Sequence, residues 1–281
     1  MVICVVGPTG VGKTKLSIML AKKYKGIIIN ADACQIYREL NIGTAKIKEE
    51  EKEGIKHFLF DIKNPNEEYS VSDYQKDLRE LLSTYKEQNI ILVGGTGLYI
   101  MAGLYDYVFS EMQNNDYSEY TNEELYNMCK SIDDNIDIHV NNRRRLENYL
   151  NRSNKVKQDP KILYDVKFIG LTIDRDLLYE RINQRVEEMF KEGLIDEVKY
   201  LVEKYGYTRI LNSAIGYKEI IKCLNKEITL DEAKEEIKKN SRHYAKRQYT
   251  WFNNKMNVQW FLTDFNNFTN TFNAVVDYLD K

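Results

Sequence analysis

No stretch of this chain approaches the roughly 18 consecutive apolar residues that a membrane span needs, and the apolar start, Met1 to Val6, is too short for a secretion signal. A cytoplasmic protein with no membrane contact is therefore expected. The four cysteines, Cys4, Cys34, Cys129 and Cys223, form no C-x-x-C pair and have no histidine at zinc-site spacing, which leaves reduced thiols as the plain reading. Of the three histidines, His57 reads as a core or supporting residue, while His139 and His243 give no signal of metal binding. An excess of either charge is missing as well. A formal net charge of −2 and a pI of about 6.1 exclude a uniformly basic nucleic-acid coat, so any RNA contact must come from a local patch. Proline is scarce, 3 in all against 21 tyrosines, which points to a compositional bias of the source.

What is present describes a globular protein. At 281 residues, 43% hydrophobic and 30% charged, the chain can form one large domain or a core with a smaller insertion. Val2 to Val6 is a continuous apolar run suited to a strand buried on both faces. Lys13 to Tyr24 then places Leu16, Met19 and Leu20 at helical spacing, with Gly26 as the residue that closes the helix. Further strands are expected at Ile27 to Ile29, His57 to Ile62, Asn89 to Val93, Lys167 to Ile173 and Val258 to Leu262. Helices are expected at Ser72 to Glu87, with Ser70 or Ser72 as cap, at Asp176 to Lys204, Lys218 to Leu224 and Leu230 to Trp251. Such alternation predicts an α/β fold, a parallel sheet flanked by helices. The polar stretch 107–137 lacks a strand signal and is expected to be a small helical insertion, which leaves 1–106 and 138–281 for the core.

Between the first strand and first helix, Gly7-Pro8-Thr9-Gly10-Val11-Gly12-Lys13-Thr14 fits G-x-x-x-x-G-K-[ST]. Glycines let backbone N–H groups converge on an anion, the helix N-terminus adds positive charge, Lys13 neutralises oxygens, and Thr14 can ligate Mg²⁺. A P-loop specifies a di- or triphosphate, ATP included, but no reaction. The strand Ile90 to Val93 ends in Gly94-Gly95-Thr96-Gly97, where a nucleotide hydrolase would carry an Asp for Mg²⁺, and this favours a transferase. Asp32, at the end of the second strand, suits a base taking a proton from an attacking amine or hydroxyl. It equally suits an N-cap of a helix over Gln35 to Leu40. Gln35 could pair with the edge of an adenine.

The P-loop, Ala31 to Tyr37, Asn41 to Lys46 and Gly94 to Tyr99 together resemble the tRNA dimethylallyltransferase (tRNA isopentenyltransferase) family, bacterial type. The resemblance continues in order through Leu178 to Ile182, Arg185-Val186 with Met189, Gly193-Leu194 with Glu197-Val198, Ile215 to Glu219 and Tyr244 to Trp251. It implies a P-loop NTPase-like fold and transfer of a dimethylallyl group from its diphosphate to the exocyclic amine of the adenosine 3′ to the anticodon, with Mg²⁺ and release of diphosphate. It further implies that Gly10 to Thr14, with Gly7 and Thr9, hold the diphosphate. Asp32 takes the amine proton, Thr96 orients the reacting groups, and Lys13 and Arg185 contact the diphosphate. Asp32, Ala33, Cys34 and Gln35 would read a flipped-out base. Arg144 to Asn148, Ser213 to Lys218 and Lys246 to Asn253 fall at positions that face the anticodon stem-loop, with Arg144, Arg145, Lys218, Lys246 and Arg247 as their cations. Ala33 stands where the family has Ser, Lys56 and Phe58 where it has Pro and His, and Asn148 where it has Arg, departures that bear on base reading and RNA grip.

Lys238, Lys239, Arg242, Lys246 and Arg247, with Tyr244, Tyr249 and Trp251, form a basic, aromatic stretch suited to phosphate contact and stacking, although taken alone it also reads as a solvated helix face. Three rivals share parts of this pattern: a prenyltransferase acting on free adenine nucleotides, a P-loop small-molecule kinase, and an RNA-binding protein with a vestigial loop. The basic stretch argues against the first, and intact Lys13, Thr14 and Asp32 against the last. A monomer is expected, since nothing marks a self-complementary surface.

Overall fold

The computed structural model describes residues 1–109, 111, 113–152 and 160–281. Strand β1 (Val2–Val6) runs into the glycine loop and helix α1 (Lys13–Tyr24), followed by β2 (Ile27–Asn30), a two-residue β3 (His57–Phe58), α2 (Val71–Thr84), β4 (Ile90–Val93) and α3 (Gly97–Leu104). After α4 (Asn122–Ile132) and α5 (Arg143–Leu150) come β5 (Val166–Thr172), α6 (Arg175–Lys191), α7 (Leu194–Tyr205), α8 (Tyr217–Leu224), α9 (Leu230–Lys255), β6 (Gln259–Leu262) and α10 (Phe268–Leu279). All pairings are parallel, in the order β3-β2-β4-β1-β5-β6.

Alternation along the strands divides the core. Cys4, Val6, Ile27, Ile29 and Leu92 face one side with Tyr74, Leu78 and Leu82 of α2; Ile3, Val5, Ile28, Ile91 and Val93 face the other with Leu16 and Leu20 of α1 and Val275 of α10. Both faces of β2 and β4 are thus covered, which is why these strands are apolar without a break. Because β4 lies between β2 and β1, its carboxyl-end loop, Gly94–Gly97, sits between the ends of the strands that carry Asp32 and the P-loop.

Several boundaries differ from expectation. The left-handed residue closing α1 is Lys25 (φ 49°), not Gly26; a side chain at Gly26 would instead strike the Asn89 carbonyl. The third strand stops at Phe58, because Leu59 and Asp61 both take positive φ and break the pleat. The helical run after Asp176 divides at Gly193 (φ 102°) into α6 and α7. Helix α2 begins as read, with Ser70 and Asp73 in a reciprocal capping box. Helices α3 and α10 had no sequence signal. Two compact units form: 1–105 with 162–281, and Asp106–Lys161. The second extends past the 107–137 read from the sequence, because α5 supplies Leu146 and Leu150 to bury Leu125 and Cys129 of α4. Among the described residues no helix is long and apolar enough to cross a membrane.

Candidate active site

The glycine loop owes its shape to Gly10 and Gly12, at φ 87° and 94° in the left-handed region that costs a side-chain-bearing residue strain. Helix α1 then starts with no side-chain cap on its first turn, which leaves its N–H groups to an anion. Lys13 Nζ donates to the loop's own carbonyls, Gly7 O at 2.9 Å and Pro8 O at 2.8 Å. Burial pulls its pKa down to about 8, against an upward pull from Asp32. Thr14 is exposed at the helix start and lines the cavity described below.

On the other side of the β4 loop, Asn30 holds Asp32 in place. Its fully buried amide accepts from Asp32 N (2.9 Å) and donates to Asp32 O (3.0 Å) and Leu59 O (2.9 Å), while Tyr74 Oη donates to its backbone carbonyl at 2.9 Å. Asp32 Oδ1 accepts from Cys34 N at 2.9 Å, which closes a short Asx turn; residues 35–40 form no helix, so the N-cap reading of Asp32 is not realised. Ala33 N donates to Thr96 Oγ1 at 3.0 Å and Thr96 N to Ala31 O at 3.0 Å, which stitches this turn to the β4 loop. Burial pushes the Cys34 thiol up, so it stays protonated.

Helices α6 and α9 close the site. Arg185 Nη1 donates to Thr9 Oγ1 at 3.2 Å, and Arg181 Nε to Gly10 O at 3.1 Å, with the Arg181 guanidinium 3.5 Å above the Phe265 ring. Burial lowers both guanidinium pKa values, and for Arg185 the charge of Asp32 opposes it. Three residues on one face of α9 then grip the β4 loop. The Tyr244 hydroxyl shares a hydrogen bond with the Thr96 side chain, its pKa pushed up by burial and by Asp32. Gln248 Nε2 donates to Gly95 O at 3.1 Å while its Oε1 accepts from Thr9 N at 3.1 Å. Trp251 packs so closely on Gly97 that a Cβ there would lie 2.2 Å from the indole.

The result is one cavity of about 1200 Å³ lined by Lys13, Thr14, Asp32, Gln35, Arg185 and Gln248. Fixed cations, loop amides and the Asp32 carboxylate all line this one space. Such a cavity can hold a polyanionic leaving group against a group that must lose a proton.

A family model described as IPP transferase matches residues 35–255. A tRNA dimethylallyltransferase of Anoxybacillus flavithermus is 46% identical, over 99% of this chain and 96% of its own. The crystal structure of the tRNA isopentenylpyrophosphate transferase from Bacillus halodurans aligns with a TM-score of 0.77 at 39% identity, covering 99% of this chain and 96% of that one. A eukaryotic dimethylallyltransferase acting on tRNA aligns with a TM-score of 0.84 at 26% identity, over 99% of this chain and 79% of its own.

The chain belongs to the tRNA dimethylallyltransferase family. Its fold is the P-loop NTPase-like α/β fold of these relatives.

Within this family member the expected site residues separate into groups. Thr9, Gly10, Gly12, Lys13, Thr14, Asp32, Cys34, Gln35, Arg185, Lys218 and Arg247 line the cavity; Gly7, Val11, Ala33 and Thr96 do not, although Ala33 N is bonded to Thr96 Oγ1. Lys218 Nζ stands 3.6 Å from the fully buried Glu219 carboxylate. Arg242 Nη1 donates to Asn183 at 2.6 Å, whereas Lys246 and Arg247 project from α9 as exposed side chains, Arg247 beside the Tyr244 ring. Arg144 and Arg145 are exposed on α5 of the second unit. Sequence reasoning placed Gln248 among the RNA-facing positions and gave no role to Arg181. Only the i, i+4 spacing of Tyr244 and Gln248 on a predicted helix could have pointed to the grip of Gln248 on the two loops. As for Mg²⁺, no group of three or more His, Cys, Asp or Glu among the described residues could hold a metal unaided. The Thr14 hydroxyl suits an ion that arrives on a diphosphate and keeps most of its water.

Proposed function

We propose that this protein transfers the dimethylallyl group of dimethylallyl diphosphate to the exocyclic amine of the adenosine 3′ to the anticodon in tRNA. One observation carries the reading: Asp32 lines the same cavity as Lys13 and Arg185, near enough for its charge to act on both. As the amine nitrogen bonds to the allylic carbon, the carbon–oxygen bond breaks and its electron pair leaves with the diphosphate. Lys13, Arg185 and the amides of the loop neutralise the charge that grows there. Asp32 accepts the amine proton, and Thr96, tied to Ala33 and Tyr244, keeps that carboxylate's turn in register with the β4 loop. Thr14 would hold Mg²⁺ brought in with the diphosphate, and that ion would supply further neutralisation.

The base must leave the anticodon stack to reach this cavity, where Asp32 to Gln35 meet its edge. Exposed Lys246 and Arg247 on α9, Lys218 at the cavity wall, and Arg144 and Arg145 contact the stem-loop phosphates. Basic side chains at an open rim favour an RNA acceptor over a free nucleotide. The protein acts as a monomer in the cytoplasm. Incubation with dimethylallyl diphosphate, Mg²⁺ and unmodified tRNA, beside AMP and ATP controls, tests the reading. Prenylated adenosine in the tRNA alone supports it. Prenylated AMP, or ATP turnover without transfer, overturns it.

A further inference from the structure

Glu197, on α7, receives three consecutive backbone N–H groups from a loop more than 150 positions earlier. Oε2 accepts from Asn41 N at 3.1 Å and Ile42 N at 2.8 Å; Oε1 accepts from Gly43 N at 3.1 Å and from the hydroxyl of buried Tyr217 at 2.7 Å. Amides that converge in this way form a nest for an anion, here filled by the protein itself. The turn needs such support. Ala45 takes φ 45°, and Gly43 lies against the Tyr217 ring, where a Cβ would be 2.5 Å from a ring carbon.

That turn in turn fixes the segment proposed to read the base. Thr44 O accepts from Gln35 Nε2 at 3.1 Å, and Lys46, its side chain nearly wholly buried, donates to Tyr37 O at 2.7 Å and pairs with Asp61 at 2.6 Å. A carbonyl can only accept, so Thr44 dictates which end of the Gln35 amide turns toward it. Oε1 is the end left for an incoming base. An amide oxygen accepts from an exocyclic amino group and repels a carbonyl at the same place.

We propose that Glu197, with Tyr217, is a positioning residue for acceptor selection: by clamping residues 41–45 it sets the Gln35 amide to accept from an adenine amine and to reject a 6-oxo purine. This rests on the proposed RNA prenyl transfer. The experiment compares wild type, Glu197→Gln and Tyr217→Phe on an anticodon stem-loop carrying adenosine, with the inosine-substituted stem-loop as competitor. The amide in Glu197→Gln presents N–H groups to N–H groups, so the KM for RNA should rise by about tenfold, the scale of one or two hydrogen bonds to a charged group. The adenosine-over-inosine preference should shrink with it, while kcat and the KM for dimethylallyl diphosphate hold. Tyr217→Phe should give the same split in smaller measure, and it decides the matter should Glu197→Gln fail to fold. A purely structural role would lower the melting temperature and leave the preference unchanged, which sinks the proposal. No transfer by wild type would instead remove the function on which it rests.

Discussion

Gln248 and Thr9, 239 positions apart, are joined by a hydrogen bond of 3.1 Å from the P-loop amide to the side chain of α9. The same carboxamide holds Gly95 O, so a single residue links the diphosphate loop, the β4 loop and the helix that carries Lys246 and Arg247. Gln248→Ala would leave two buried backbone groups without partners, at a cost of about 1–3 kcal/mol. Urea unfolding should show that loss, with transfer slowed beyond what the unfolded fraction explains. An unchanged midpoint would make the bond dispensable.

Asp32→Ala should lower the transfer rate by about 10² or more, the scale of general-base catalysis, and leave RNA affinity largely intact. Asn30 still anchors the backbone of residue 32 in that variant, so the turn keeps its shape. Single-turnover rates beside RNA binding curves check the claim. A parallel loss of binding would show that the Cys34 turn, rather than proton transfer, is the contribution of Asp32.

Lys13 links donor binding to pH. Its pKa is lowered to about 8, and the protonated form is the one that attracts a polyanion. The charge is complete well below pH 8 and is lost as pH rises through that value, so affinity for dimethylallyl diphosphate should fall above pH 8. Lys13→Met should bind weakly with a flatter profile. Calorimetry from pH 6.5 to 9.5, about 1.5 units either side of that value, is sufficient to see it. Constant wild-type affinity across that range would contradict the assignment.

Replacing Lys246 and Arg247 together by Ala should weaken RNA binding and reduce the slope of log affinity against log salt by between about 1.4 and 1.8, one counterion per lost phosphate contact. Filter binding at several salt concentrations gives the slope directly. If it does not change, α9 contacts no phosphates through this pair.

The P-loop, the strands β1, β2 and β4 and the start of α2 were legible because each rests on local chemistry: glycines at left-handed φ, apolar runs buried on both faces, a capping serine. The grip of α9 on Gly95, Thr9 and Thr96 was not, since a Gln and a Tyr within a basic helix look solvated until the sheet places a loop beneath them. Glu197 falls within the family resemblance, but its hold on residues 41–43 was hidden for the same reason. In sequence it is one more acidic residue near the start of a helix, where helix-dipole effects alone would account for it. The limits of the second unit were missed because α5, which opens with three arginines, buries only two leucines.

The order in which the polypeptide leaves the ribosome adds one more consequence. Everything up to Tyr105 belongs to the catalytic unit, as does everything from Ile162 onward. A nascent chain therefore presents β1 with the side meant for β5 bare until residues 166–172 have been made. Arg185, Tyr244 and Gln248 emerge later still, so the anion loop stays unbraced until α9 has followed. An unpaired, wholly apolar strand held open for that long is a site for wrong pairing, and the newly made protein should be most dependent on chaperones during this interval.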